Sequence, residues 1–522
     1  GAMPVEETYE EDVCVEDGGV PVPQPAGVPE SIQALASSPA MASAEGYEEA
    51  AMIFNTEEYT YYPENGFHTV LTDPLSTFAA DVDTGSYGNL RRYIEEGYSV
   101  EEIPAGLIRY EEILNYFDYQ IDGVSDGRFS LQSAKGECPW NSEHELLQLT
   151  VSANAVDTES KGNNFVFLMD VSGSMDYDDR ILLAAKSLAH LTRTLTEDDV
   201  VSVVTYSGSD ETLLAGCSGA KTNEIFAAIR QAEYNCIYWG GGTNGSGGIT
   251  AAYQCAQEHF IEGGNNRVLI ASDGDMNLGV TSQAGLVELI KEKKESGVFL
   301  TTLGFGEGNY SDANMEQIAD AGNGNYFYID SIEEAIRVLV RKVKQTTVTV
   351  AKDVKLQVEF NPAEVEKYKL IGYENRTMSA DDFSDDTKDG GETGAGSQVT
   401  VLYELVPAGN ATGEAGSGLK YQTDRGLSDA AVAGELATLS IRYKEPDGDV
   451  SALEEYAVAD PGSTEEFLFT ASLAEACMVI NGSAEVQGIT LSDALERMGE
   501  RIPAGDVDRA NCYAMLRMLG KN

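Results

Sequence analysis

The chain has 522 residues, 42% of them hydrophobic and 8% aromatic. It is too long for a single core and points to about three or four domains. Its 87 acidic against 34 basic side chains leave a formal charge of −53. That charge excludes nucleic acid and anionic membrane surfaces as natural partners, because phosphates would be repelled, and favours a cation-rich setting with a basic or neutral partner.

The first 60 residues carry 13 acids and no Lys or Arg, with Pro21, Pro23, Pro25 and Pro29 close together. So little apolar area cannot repay the entropy of ordering, and an arm or tether over 1–65 is expected. No signal peptide and no run of about 18 apolar residues is read. The Gly1-Ala2-Met3 start carries little weight either way about export. Seven scattered cysteines (Cys14, Cys138, Cys217, Cys236, Cys255, Cys477, Cys512) lack zinc spacing. Buried free thiols are expected, with one disulfide among Cys217, Cys236 and Cys255 as the alternative.

A first flanking α+β region is read over 66–161. Ser76–Asp83 reads as a short strand that places Asp81 and Asp83 on one face, followed by a turn at Thr84-Gly85. Helical stretches follow at about 87–96 and 109–117, and Leu147, Leu149 and Val151 alternate as in a half-buried strand. Asp83-Thr-Gly-Ser86 is reminiscent of aspartic proteases, but their mechanism needs two acids sharing a proton and no second such tripeptide exists.

From 162 to 345 strands and helices alternate. The strands are Phe165–Met169, Val200–Thr205, Arg267–Ile270, Val298–Gly304 and Gly324–Ile329. Helical patterns lie at about 178–195, 223–233, 246–260, 282–296, 312–321 and 331–343. This alternation predicts a doubly wound, mostly parallel sheet. Thr281-Ser282 and Asp330-Ser331 offer capping oxygens at two helix starts. Beyond 345 the composition turns to β, with strands at 346–350, 354–358, 368–371, 398–404 and 436–443, and a β-rich domain over 346–460 is expected. The Gly-rich loops at 379–397 and 408–419 read as exposed. From 461 to 522 the pattern is helical, in pieces from 465, at about 491–499 and at about 507–519. Strand signals on both sides of the α/β unit predict that it is inserted into a β domain built from both flanks.

The chemistry concentrates in Phe165-Val-Phe-Leu-Met-Asp-Val-Ser-Gly-Ser-Met175. An unbroken apolar run is the signature of a strand buried on both faces. It ends in Asp170, with Ser172 and Ser174 following. Oxygen ligands at the carboxyl end of such a strand suit Mg²⁺ or Mn²⁺, with Ca²⁺ as an alternative. Two further loops reach the same sheet edge: Gly240–Gly248, which presents Thr243 before a helix, and Ser272–Met276, which presents Asp273. One carboxylate on the metal, hydroxyls beside it and a second carboxylate holding coordinated water would leave a position open for a ligand carboxylate.

Asp170-Val-Ser-Gly-Ser174, Thr243 and Asp273-Gly274 together resemble the metal-ion-dependent adhesion site of von Willebrand factor type A domains. The resemblance covers roughly 162–345 and implies Asp170, Ser172, Ser174, Thr243 and Asp273 as the ligand set. The flanks resemble those of a bacterial group of such proteins, through Phe78–Tyr87, Glu111–Phe117, Val358–Pro362, Ile371–Asn375, Asp385–Lys388 and Tyr443–Pro446. Many members of that group are exported or lipid-anchored. The resemblance therefore implies a secreted or surface protein, with a periplasmic or lipid-anchored one as the alternative, that binds a protein or glycan-linked carboxylate. A scaffold or chaperone-like assembly subunit is the alternative. A metal-assisted hydrolase is disfavoured, because none of the four histidines (His68, His144, His190, His259) falls in the three loops, and a proton acceptor is missing. No Lys-Ser/Thr follows the glycine loops as a nucleotide site requires. Tyr238 and Trp239 just before the second loop read equally as a partner-facing rim or as packing beneath it.

Overall fold

The computed structural model describes residues 59–520 apart from 123–124, 155–160, 275–282, 295, 308–311, 389, 410–418, 424–425, 447 and 460. The acidic arm to residue 58, Cys14 and the expected cap at Thr281-Ser282 lie outside the described residues.

The α/β sheet has six strands in the order Tyr326–Tyr328, Phe299–Gly304, Asn265–Ser272, Asn163–Asp170, Val200–Tyr206, Asp210–Ser218. All neighbours run parallel except the last pair, which is antiparallel. Asn163–Asp170 lies centrally and is buried on both faces, which is why its sequence is apolar without alternation. One face packs Phe165, Phe167 and Met169 against helices that include Leu183–Thr192 and Thr222–Trp239. The other packs Val166 and Leu168 against Gly245–Glu258, Gln283–Lys294 and Asp312–Ala321.

Two antiparallel sheets share a second core. One runs His68–Thr69, Val365–Ile371, Gln398–Pro407, Asn141–Ala153, Phe129–Cys138; the other runs Thr377–Met378, Leu75–Ala79, Thr349–Phe360, Glu435–Lys444, Ser451–Ala459. Phe78, Leu149, Val151, Leu356, Val358, Val401 and Ile441 meet between them. Strands from before and after the α/β unit thus pair within the same sheets, Leu356 opposite Phe78 and Val401 opposite Leu149. A third, largely helical core joins Gly85–Glu95 and Tyr110–Leu114 to Glu465–Asn481, Leu491–Gly499 and Val507–Leu519.

Several expectations are corrected. The strand near 76 stops at Ala79, so Asp81 and Asp83 lie beyond it, both buried, and Thr84 begins a helix at Gly85 instead of closing a turn. The expected strands at 346–350 and 354–358 are one strand, Thr349–Phe360, with a register shift near Asp353, and 346–347 end a helix. The loop at 379–397 is only partly exposed, because Gly391–Gly394 pairs with Thr349–Phe360. Strands Phe129–Cys138, Asp210–Ser218 and Ser451–Ala459 were not anticipated. Cys217, Cys236 and Cys255 form no disulfide; all six described cysteines are buried thiols. Ser331 does cap its helix, accepting from the Glu334 N–H at 3.2 Å.

Candidate metal centres

Parallel pairing sets Asp170 opposite Tyr206 and Met169 opposite Ala271, so Asp170 emerges beside the ends of both neighbouring strands. Asp170 and Asp273 are wholly buried, Ser172 nearly so, and Ser174 and Thr243 are half-buried. Asp170 Oδ1 accepts from the Ser172 N–H at 2.9 Å, while Oδ2 accepts from the Tyr206 hydroxyl at 3.0 Å and the Ser272 hydroxyl at 2.9 Å. The Ser172 and Ser174 Oγ atoms lie 3.0 Å apart. The second loop is tied to the first through its backbone, Gly173 N–H to Gly241 O at 3.2 Å, and Cys236 Sγ meets Ser172 O at 3.4 Å. No hydrogen bond links Thr243 to the other four side chains among the described residues. It joins them only through that loop.

Burial, and then the charge of Asp273, push Asp170 up to about 7, against its hydrogen bonds from Ser172 and Ser272. Two buried acids this close call for positive charge. Part of it comes from Arg180, whose Nη1 donates to Asp273 Oδ2 at 3.1 Å and to Ser174 O at 2.5 Å, and whose Nη2 donates to Glu307 O. A carboxylate and two adjoining hydroxyls with a remaining negative charge fit a hard divalent cation. Tyr206, Ser272 and Arg180 were not singled out from sequence. Strand-end register could have found Tyr206, and Ser272 stands beside Asp273 in the chain, whereas nothing local marks Arg180.

The edge carrying these loops also carries exposed aromatics. Trp239 is 73% exposed and Tyr238 64%, on the last turn of Thr222–Trp239, so the pair does not pack beneath the loop. Tyr234 packs against Tyr238 with tilted rings, centroids 4.5 Å apart, and Tyr177 is also exposed. His190 sits on Leu183–Thr192 and His259 follows Gly245–Glu258, neither of them on these loops.

A second acidic centre joins the first flank to the α/β unit. Oxygens of Asp81, Asp83 and Glu316 lie within 4.8 Å of one another, close enough to hold a metal ion. Asp83 Oδ1 accepts from the Tyr326 N–H at 2.8 Å, which fastens the flank to the sheet's edge strand. Here too a guanidinium intervenes. Arg376 reaches Asp81 at 3.0 Å, Asp83 at 3.5 Å, Glu316 at 3.4 Å and Asp320 at 2.9 Å, and Arg109 reaches Glu316 at 3.1 Å. Burial raises Glu316 to about 8 against both arginines, and Asp83 well above its usual range. Asp81 and Asp83 stand two apart in the sequence. Their partners Glu316 and Arg376 are more than 230 residues away, beyond any local spacing signal.

The model of the von Willebrand factor type A domain matches residues 164–342, the span of the six-stranded α/β unit. The flanks match two further family models, "von Willebrand factor" over 53–148 and "Uncharacterized protein YfbK, C-terminal" over 345–518. The chain is 39% identical over 440 residues to "Uncharacterized protein YfbK" of Escherichia coli (strain K12), an alignment covering 82% of this chain and 75% of the relative. It belongs to the YfbK-like family of bacterial proteins with a von Willebrand factor type A domain. Among solved structures, it is similar to a von Willebrand factor type A protein from Catenulispora acidiphila (15% identity, TM-score 0.41, 75% of this chain and 89% of that one). It is also similar to the ArnB paralog VWA2 from Sulfolobus acidocaldarius (16% identity, TM-score 0.36, 76% and 98%). Von Willebrand factor type A domains are typically non-catalytic modules of adhesion and protein interaction. No described helix is long and apolar enough to cross a membrane.

Proposed function

We propose that the chain is a metal-dependent binding protein that captures a carboxylate of a protein or glycan-linked partner at the edge carrying Asp170. Asp170, Ser172, Ser174, Thr243 and Asp273 would hold Mg²⁺ or Mn²⁺, with Ca²⁺ as the alternative. The observation that carries this reading is the buried Asp170 carboxylate beside the adjoining Ser172 and Ser174 hydroxyls, 3.0 Å apart. When bound, the cation supplies an electrophilic centre for a ligand carboxylate. The protein's own residues do the positioning. Tyr206 and Ser272 fix one Asp170 oxygen, Arg180 holds Asp273, and Tyr238 and Trp239 offer the apolar rim on which binding surfaces concentrate energy.

In this reading residues 162–345 are the binding domain, and 66–161, 346–460 and 461–522 hold and orient it outside the cell or in the periplasm. The test is capture of carboxylate-bearing peptides and uronic-acid glycans by the full chain in Mg²⁺, in EDTA and after Asp170→Ala. Capture confined to the metal-loaded wild type is expected. Capture that survives both EDTA and Asp170→Ala would sink the mechanism.

A further inference from the structure

A cavity of about 310 Å³ opens where residues 60–64 cross two flank segments that the metal centre does not use, Glu111–Phe117 and Ile371–Asn375. Glu111 and Glu374 line it, with Tyr61, Tyr62 and Tyr110 on its walls and Gly482 at one end. The fold goes to some length to place Glu111 there. A left-handed turn at Gly372 (φ +82°) and Tyr373 (φ +60°) brings the backbone so close that a Cβ at Gly372 would lie 2.6 Å from Glu111 Oε2. Asn65 pins the overlying segment to this turn, donating to Leu370 O at 3.2 Å and Gly372 O at 2.8 Å.

Glu111 is 1% exposed, and neither carboxyl oxygen has a hydrogen-bond partner. Burial, and then the charge of Glu374, raise the pKa of Glu111 well above the ordinary range, and the nearby Tyr373 amide lowers it too little to offset this. Leaving a buried carboxyl unsatisfied is costly unless something fills the need. Arg109, which also lines the cavity, is engaged by Glu112 and Glu316, and Lys369 is engaged by Glu485 and by Glu64, a third acid of the lining. The 17-residue helix Glu465–Asn481 ends at this cavity, so its negative pole adds to the acids. The tyrosines offer ring faces, which attract organic cations. Among the described residues only Asp81, Asp83 and Glu316 converge as three acids within 4.8 Å, so the acids lining this cavity do not form a three-acid metal cluster. The first Lys or Arg of the sequence is Arg91 and the first His is His68, so the segment before Tyr59 has no cationic side chain to offer.

We propose that this cavity binds an organic cation, a primary alkylammonium or a guanidinium, between the Glu111 and Glu374 carboxyls and the tyrosine walls. A lysine or arginine side chain of a protein and a free amine share this chemistry. The test is calorimetry on the full chain with n-butylammonium, n-butylguanidinium, Nα-acetyl-lysine amide and the neutral n-butanol. Saturable binding of the cations, no binding of butanol, and at least tenfold weaker binding in Glu111→Gln or Glu374→Gln are expected. Asp170→Ala should leave this binding unchanged, which separates the cavity from the metal-dependent function proposed above. Tighter binding of the lysine amide than of butylammonium would assign the cavity to a protein side chain; equal binding would assign it to free amines. Glu374→Gln keeps the test readable if Glu111→Gln does not fold. No saturable binding of any cation, equal binding of butanol, or unchanged affinity in both glutamine variants would overturn the proposal.

Discussion

Arg180 donates to Asp273 at 3.1 Å, so the third-loop acid of the metal edge carries a counter-charge from its own chain. The same guanidinium holds the Ser174 carbonyl, and so it links the first and third loops. Removing one partner of a buried ion pair leaves the other uncompensated, at about 3–5 kcal/mol. Arg180→Met should lose stability of that order in chelator, measured by urea unfolding. Mg²⁺ should then stabilise the variant more than the wild type, because the ion takes over part of the lost charge compensation. Equal Mg²⁺ stabilisation of the two proteins would mean that Arg180 and the cation do not share Asp273.

Arg376 plays the corresponding part among Asp81, Asp83, Glu316 and Asp320. Arg376→Met should cost roughly 3–5 kcal/mol. It should also expose three converging carboxylates to solution cations, so that Ca²⁺ raises the melting temperature of the Arg376→Met/Asp170→Ala double variant and not of Asp170→Ala alone. A variant as stable as the wild type, and indifferent to Ca²⁺, would show that this network holds nothing together.

The buried acids set a pH dependence. Glu316 is raised to about 8 and Glu374 to about 7, both chiefly by burial. The folded state therefore holds these protons more tightly than the unfolded chain, whose glutamates titrate at about 4.3. Their stabilising contribution is fully present below that value and is lost as pH rises through about 7 to 8. Thermal unfolding in EDTA should show stability falling between mildly acid and mildly alkaline pH. Glu374→Gln should flatten the profile, gaining most at the alkaline end. A profile that rises with pH over this window would contradict the assignment.

The sequence makes some of this architecture readable and conceals the rest. The strand at Phe165–Met169 is legible because burial on both faces demands an apolar run, and Asp170 because a charge must leave such a strand at its end. The edge strands are harder. Ser451–Ala459 carries Glu454 and Glu455 side by side, and Phe129–Cys138 mixes Gln, Ser and Lys into its length. Pairing to an inner neighbour, and not local propensity, makes these segments extended. The glycines near 391 look like an open loop in the sequence, yet a Cβ at Gly391 would lie 1.8 Å from Ala80 O, so the residue reflects close packing. Arg180 and Arg376 carry no spacing signal, since their acidic partners arrive from remote segments through the topology alone.

The exposed aromatics at the metal edge make a further prediction. Truncating Trp239 or Tyr238 to Ala should change folding stability by less than about 0.5 kcal/mol, as expected for surface positions. It should leave the divalent-cation titration unaltered. Capture of the carboxylate partner should weaken by about 2 kcal/mol or more if this ridge is the centre of the contact. Retained capture in the double variant would move the contact away from this ridge.

The central claim is tested most directly by calorimetric titration of Mg²⁺ and Mn²⁺ into the full chain, the Asp170→Ala variant and the Ser172→Ala variant. Saturable binding to the wild type is predicted, abolished by Asp170→Ala and weakened by Ser172→Ala, with all three proteins folded by circular dichroism. Absence of binding to the wild type, or binding that Asp170→Ala leaves intact, would contradict a metal site built on Asp170.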